Sequence, residues 1–404
     1  MDNNIFIYNP TCDLAVENGT ISYMAPVSLR KFEVDISPLM SLMASENDIL
    51  LTENKDYQEF VEFWNKAGFN QPKYLSWNKI NKLSKNYKVN PWGWSPVIAQ
   101  RLKQFNIEYN FNNPETKLLF SRQTSLEILT EYLKLTLPFK HEISFQPVLP
   151  LKIVDLQPLE MLLNQYPDGI ILKTLYSSSG RGLLFIRQKE EITRNQTWIE
   201  AKIKLHGYVI AEPIYNKVQD ASLQFIVEKD NYHFLGLNYF DSDCKGKFQK
   251  EHIGTPEVIQ SLLPKDETWI IETAQQVAQA MQNTCLHKKY NGPVGVDSIF
   301  LLDNNNQLKF HPLIEANLRC NMGLINMKLK ERIHQGSIGT WQIEVFKTGK
   351  AKEFFSQQIK DHPVKIKDGK ITEGFIPLSS YGENQQFAAW GLIHSNTNDS
   401  AIQE

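Results

Sequence analysis

Cysteine is scarce in this 404-residue chain: Cys12, Cys244, Cys285 and Cys320 form no CxxC pair and no Cys/His cluster of metal-ligand spacing. The pattern argues for a reducing compartment. Apolar runs are short. None reaches the roughly eighteen residues of a membrane span, and the start, MDNNIFIYNP, has neither the basic residues nor the long apolar stretch of a signal peptide. Excess charge of one sign is missing too. Forty-three Lys plus Arg face forty-five Asp plus Glu, a formal net charge of −2, so no global field favours nucleic acid or an anionic membrane, and any phosphate must be caught locally. The expectation is a soluble cytoplasmic protein.

What is present is globular: 42% hydrophobic and 22% charged residues, with 20 Gly and 19 Pro. Domains of roughly 100–200 residues make two or three cores the natural division and exclude a lone binding module. The first hundred residues alternate short apolar runs (NIFIYNP, NDILLTE, PKYLSW) with helical patterns (YQEFVEFWNKAGF, SPVIAQRLKQF), which predicts a small parallel α/β domain. NPWGWS interrupts it as an aromatic plug, and Ser95 is placed to cap the next helix. From Leu118 to Leu135 apolar residues recur three and four apart, and three prolines then mark a junction. IILKTLY, GLLFIR, YVIAEPIY, ASLQFIVEK and YHFLGLNYF read as antiparallel strands, with helix around Trp198 to Leu205. A long helix carrying Ile270, Ala274, Val277, Ala278 and Met281 precedes a hairpin turning at Asp303 to Asn306. The polar end from about Ser395 is expected to fray.

Three places can carry chemistry. Lys173 ends an apolar strand and is followed by Ser177, Ser178, Ser179, Gly180, Arg181 and Gly182 before the next strand. Small residues let backbone N–H groups approach phosphate oxygens, serine hydroxyls add donors, and the ammonium neutralises charge. A hairpin turn beside a solvated lysine satisfies the same residues. In YVIAEPIYNKVQD a strand delivers Glu212 and Pro213, then Asp220; an acid at a strand edge with free backbone groups suits a purine edge, and a further carboxylate suits ribose hydroxyls. An edge strand ended by proline reads equally well. The most specific pattern is the hairpin with Asp297 on its first strand and Glu315, Asn317 and Arg319 on its second. Residues two apart share a face, so two oxygen ligands and a cation form one polar row, with Asp297 opposite. Magnesium asks for such hard oxygen donors, although a merely solvated strand face remains the alternative.

In this order, the strand lysine, Ser/Gly loop, Glu-Pro strand, long helix and Asp with Glu-x-Asn-x-Arg resemble the ATP-grasp superfamily over about Leu118 to Ile333. The resemblance implies a fold of mixed α/β and α+β type: an N-terminal parallel α/β domain (1–115), a two-lobed grasp (116–205 and 206–345) and a C-terminal extension (346–404). It implies that Lys173 touches the α- and β-phosphates of ATP and that the loop from Ser177 to Gly182 closes over them. Glu212, with Pro213 and Ile214 beside it, lies at the adenine, and Asp220 at the ribose. Asp297, Glu315 and Asn317 hold Mg2+, and Arg319 steadies the transferred phosphoryl group. Where members commonly carry an earlier lysine this chain has Ser121-Arg122-Gln123, so Arg122 stands in with a permanent charge. His206, His252 and His311 could touch substrate, but a satisfied surface or core histidine is the expectation for each.

The implied activity joins a small-molecule carboxylate to an amine, an amino acid or peptide among the candidates, through an acylphosphate. A kinase-like member and a non-catalytic ATP sensor are the alternatives. A homodimer is expected only as the commonest soluble assembly.

Overall fold

Ile5, Phe6 and Ile7 are all buried, as befits a parallel strand covered on both faces. The computed structural model describes residues 3–53, 57–82, 87–104, 114–135, 141–177 and 182–395. The chain divides into two compact units, one of Met1–Phe111, Gln249–Pro256 and Arg319–Glu404, the other of Asn112–Phe248 and Glu257–Leu318.

In the first unit four parallel strands lie in the order Lys73–Ser76, Ile49–Thr52, Asn3–Ile7, Tyr87–Pro91, the parallel α/β arrangement the alternating pattern predicted. Gln58–Lys66 forms a helix on its Phe60 and Trp64 stripe. Ser95 caps Pro96–Lys103 by accepting from the Ile98 N–H, and the plug tryptophan Trp92 is buried. The same unit contains antiparallel strands in the order Phe248–Ile253, Ser337–Val345, Phe387–Ser395, Lys370–Pro377, Lys365–Lys367. Their buried Trp341, Ile376 and Ile393 share a core with Trp64, Leu39 and Leu324.

The second unit holds two antiparallel sheets. The smaller runs Leu151–Ile153, Val209–Pro213, Ile170–Lys173, Leu183–Ile186. The helices Gln157–Gln165 and Lys189–His206 cover it, the latter starting well before the Trp198 expected from sequence because Gln188 and Glu191 form a capping box. Its core is Ile170, Leu172, Ile186, Val209 and Ala211 with Leu159, Leu162 and Ile199. The strands Leu308–Asn317, Gly292–Leu302, Lys217–Glu228 and Asn231–Ser242 make the larger. The helices Arg122–Lys134 and Thr268–Asn283 pack on it through Ile128, Leu129, Ala274, Val277 and Met281. Among the described residues no helix is long and apolar enough to cross a membrane. The tail expected to fray lies, from 396 on, outside the described residues.

Candidate functional site

Strand alternation aims the first candidate. Ile170 and Leu172 point into the core of the small sheet, so Ile171 and Lys173 take its other face. The register sets Ile171 against Glu212 and Lys173 against Ile210. Lys173 and Glu212 therefore share that face as diagonal neighbours, and their charged ends form an ion pair. Both are buried, at 4% and 9% exposure. Beyond Lys173 the chain narrows to a neck: Thr174 N–H donates to the Gly182 carbonyl at 2.9 Å. A Cβ at Gly182 would stand 2.2 Å from Thr174 Oγ1 and 2.6 Å from Ser177 Oγ, so only glycine fits. Ser178, Ser179, Gly180 and Arg181 lie outside the described residues.

Glu212 comes with less backbone than its sequence context promised. Pro213 has no N–H, and the Ile214 N–H is spent on the Gly169 carbonyl at 3.0 Å. The strand end offers acceptors rather than a free donor, because it is still paired to the lysine strand. Asp220 sits in the larger sheet, its Oδ2 accepting from Lys217 Nζ at 2.6 Å and Ser242 Oγ at 2.5 Å.

The metal candidates converge. Asp297 stands directly opposite Glu315 across the hairpin, and Asn317 Nδ2 donates to Asp297 Oδ2 at 3.0 Å. Among the described residues no three His, Cys, Asp or Glu side chains gather as a cage. The donor set on offer is thus two carboxylates and an amide oxygen. That donor set fits magnesium, which takes one or two carboxylates and completes its octahedron with water and substrate phosphates.

Arg122 joins the two parts. It opens the helix capped by Ser121. Its Nη1 donates to the Thr174 carbonyl at 2.6 Å and Ser177 Oγ at 2.8 Å, and its Nη2 to Glu315 Oε2 at 3.0 Å. A planar fork can span the loop neck and the candidate metal row at once, as a lysine could not.

The expected row does not extend to Arg319. The strand ends at Asn317, and the Cys320 N–H bonds the Trp92 carbonyl instead of continuing a ladder. Arg319 belongs with the first unit, where its Nε donates to Asp13 Oδ1 at 3.1 Å and Oδ2 at 3.0 Å.

Sequence spacing gave no sign of one further feature. The ring of His311 lies 5.5 Å from Phe145 and 5.2 Å from Tyr215, and its Nδ1 accepts from the Leu313 N–H at 3.3 Å. Burial, aided by the Lys173 charge, pushes its pKa down to about 3, so it is a neutral, buried histidine beside the lysine. The three rings come from distant segments and share no local period.

Small lobe, larger antiparallel sheet and preceding parallel α/β sheet together recur in solved enzymes. The fold is that of the ATP-grasp enzymes. No protein-family model matches the sequence, and no curated protein matches it. Among solved structures, the chain resembles the Campylobacter jejuni biotin carboxylase in complex with β,γ-ATP. The TM-score is 0.53 at 12% identity, covering 98% of this chain and 89% of that one. It also resembles the biotin carboxylase domain dimer of Hydrogenobacter thermophilus 2-oxoglutarate carboxylase, bound to MgADP and bicarbonate: TM-score 0.52, 13% identity, 96% and 86% covered. The ADP complex of N5-carboxyaminoimidazole ribonucleotide synthetase gives TM-score 0.52 and 9% identity, with 99% and 94% covered. At such identities the likeness is one of ATP-grasp fold, and function rests on the site.

Proposed function

We propose that this chain is an ATP- and magnesium-dependent ligase that joins a small-molecule carboxylate to an amine and releases ADP and phosphate. The observation that carries the reading is the convergence of Asp297, Glu315 and Asn317, tied through Arg122 to the neck of the Ser/Gly loop. In this reading Lys173, exchanging Glu212 for phosphate oxygens, holds the α- and β-phosphates, with Ser177 to Gly182 closing over them. Glu212 accepts from the adenine amino group, beside Pro213 and Ile214, and Asp220 faces the ribose. Magnesium held by Asp297, Glu315 and Asn317 would neutralise charge on the transferring phosphoryl group. The bond from the γ-phosphorus to ADP breaks as one forms to a carboxylate oxygen. The amine nitrogen then attacks the carbonyl carbon of the acylphosphate, phosphate leaves, and a proton is released.

The test is ATP turnover by the full chain against pools of amino acids and small carboxylates, with mass detection of condensed products. With the acid present and the amine withheld, hydroxylamine should trap a hydroxamate, and oxygen-18 from the carboxylate should reach phosphate once the amine is added. Glu315→Gln should lower turnover by roughly two orders of magnitude, as expected when transition-state charge stabilisation is lost. Label in AMP would make the enzyme an adenylate-former. A stable phosphorylated product with no need of amine would make it a kinase, and ATP binding with no turnover on any pool would make it a sensor.

A further inference from the structure

The first unit holds a second polar constellation, which the nucleotide chemistry leaves unused. Its parallel sheet reverses strand order beside Asn3–Ile7, flanked by Ile49–Thr52 and Tyr87–Pro91. Open parallel sheets take ligands in the crevice beyond the strand ends at such a reversal. The loops leaving Asn3–Ile7 and Tyr87–Pro91 meet there: Asn9 Nδ2 donates to the Gly93 carbonyl at 2.7 Å, and a Cβ at Gly93 would stand 2.4 Å from Cys12 Sγ. Into this corner come Thr11, Asp13, Arg319 and, from the helix Val27–Ile36, Glu33. Thr11 gives both its N–H and its hydroxyl to Glu33 Oε1, at 3.1 and 2.6 Å.

The charges here do not balance. Arg319 is matched by Asp13, and nearby Arg101 by Glu53 at 3.2 Å. Glu33 has no ion pair among the described residues, and burial raises its carboxyl from the ordinary range against the opposing pull of its Thr11 hydrogen bonds and the Arg101 charge. Tyr8, only 5% exposed, feels the charges of Glu33 and Arg319. Its ring is held edge-on by Trp92 at 5.0 Å, yet its hydroxyl has no hydrogen-bond partner among the described residues. A buried hydroxyl left alone is costly and is the usual mark of a missing group.

We propose that this crevice binds the primary ammonium group of a small amine, which donates to Glu33 and the Tyr8 hydroxyl and supplies the charge that Glu33 lacks. It rests on the ligase reading only in making this amine the nucleophile of that reaction; the binding itself stands without ATP.

The experiment is ligand-observed saturation-transfer NMR on the full chain without nucleotide. The probes are the twenty common amino acids with methylamine, ethylamine and butylamine, and lactate serves as the hydroxyl counterpart of alanine. At least one amine should bind, at least tenfold more tightly than its hydroxyl counterpart. Glu33→Gln keeps the acceptor for Thr11 and should weaken that amine at least tenfold; Tyr8→Phe, which keeps the ring, should weaken it several-fold and carries the test if the first variant folds poorly. Both should bind ATP as the wild type does. No amine binding, unchanged binding in the variants, or displacement of the amine by potassium as readily as by ammonium overturns the proposal. An amine that binds through Glu33 but is never condensed would instead sink the ligase reading alone.

Discussion

Arg122 and Glu315 stand 193 positions apart and meet at 3.0 Å, guanidinium on carboxylate. The pair joins the start of one helix to a hairpin strand of the larger sheet, and the other branch of the fork reaches Thr174 and Ser177. A carboxylate proposed to hold magnesium is thereby oriented by the group that also fixes the neck of the loop. The side chains are 7% and 21% exposed, so neither is well solvated if the other is lost.

Arg122→Met should therefore destabilise the second unit by about 3 kcal/mol, the low end of what breaking a buried pair costs, since Glu315 keeps some water. Arg122→Lys should fall between, because charge returns without the fork. Urea unfolding at neutral pH measures both; a Met variant within about 0.5 kcal/mol of wild type would mean the pair holds nothing, as for an exposed ion pair.

Gly182→Ala tests the loop neck. The added methyl would overlap Thr174 Oγ1 and Ser177, and overpacking of this kind costs about 1–3 kcal/mol. Moving Ser177 also breaks its bond from Arg122. The expected outcome is a lower Tm together with weaker ATP binding; a lowered Tm with unchanged ATP affinity would confine the glycine's role to packing.

His311 predicts a pH dependence. Above its ordinary value of about 6.5 it is neutral in both states and contributes nothing. Below that the unfolded chain takes up a proton that the folded chain refuses until about pH 3. Stability thus drains away as pH falls through this window, by about 1.4 kcal/mol per pH unit once well inside it. Between pH 6.5 and 4.5 His311→Gln should lose less stability than wild type, by roughly 2 kcal/mol. Parallel pH profiles of the two proteins would show that His311 titrates normally.

Much of this site was legible because it obeys short periods. Lys173 ends an apolar strand and precedes small residues; Glu315 and Asn317 are two apart, and the turn at Asp303 to Asn306 put Asp297 opposite Glu315. Arg319 obeys the same spacing but not the strand, which stops where Leu318 enters the core and Cys320 bonds Trp92. No period announces that Ile214 gives its N–H to Gly169, or that His311 rests against Phe145 and Tyr215, because those partners are fixed by tertiary packing alone. The strands Lys370–Pro377 and Phe387–Ser395 were equally silent: what places them in the first unit is their pairing with each other and with Ser337–Val345.

Lys173 and Glu212 allow stability and binding to be separated. In the folded chain each is the other's buried partner, yet in the proposed reaction they serve different ends of the nucleotide. Lys173→Met strands a carboxylate in the interior, which must protonate or destabilise the fold. Removing both charges, in Lys173→Met with Glu212→Gln, should restore much of that stability, because no unpaired ion remains. ATP binding should behave otherwise. It should weaken by about 1.5–3 kcal/mol in Lys173→Met, the worth of a charge-assisted hydrogen bond, and stay weak in the double variant, since the phosphate cation has not returned. Urea unfolding and calorimetric ATP titration on the same proteins give the two readouts. Stability recovered with ATP affinity still low is the expected pattern, whereas wild-type ATP affinity in Lys173→Met would remove Lys173 from the nucleotide site and leave the pair a purely structural one.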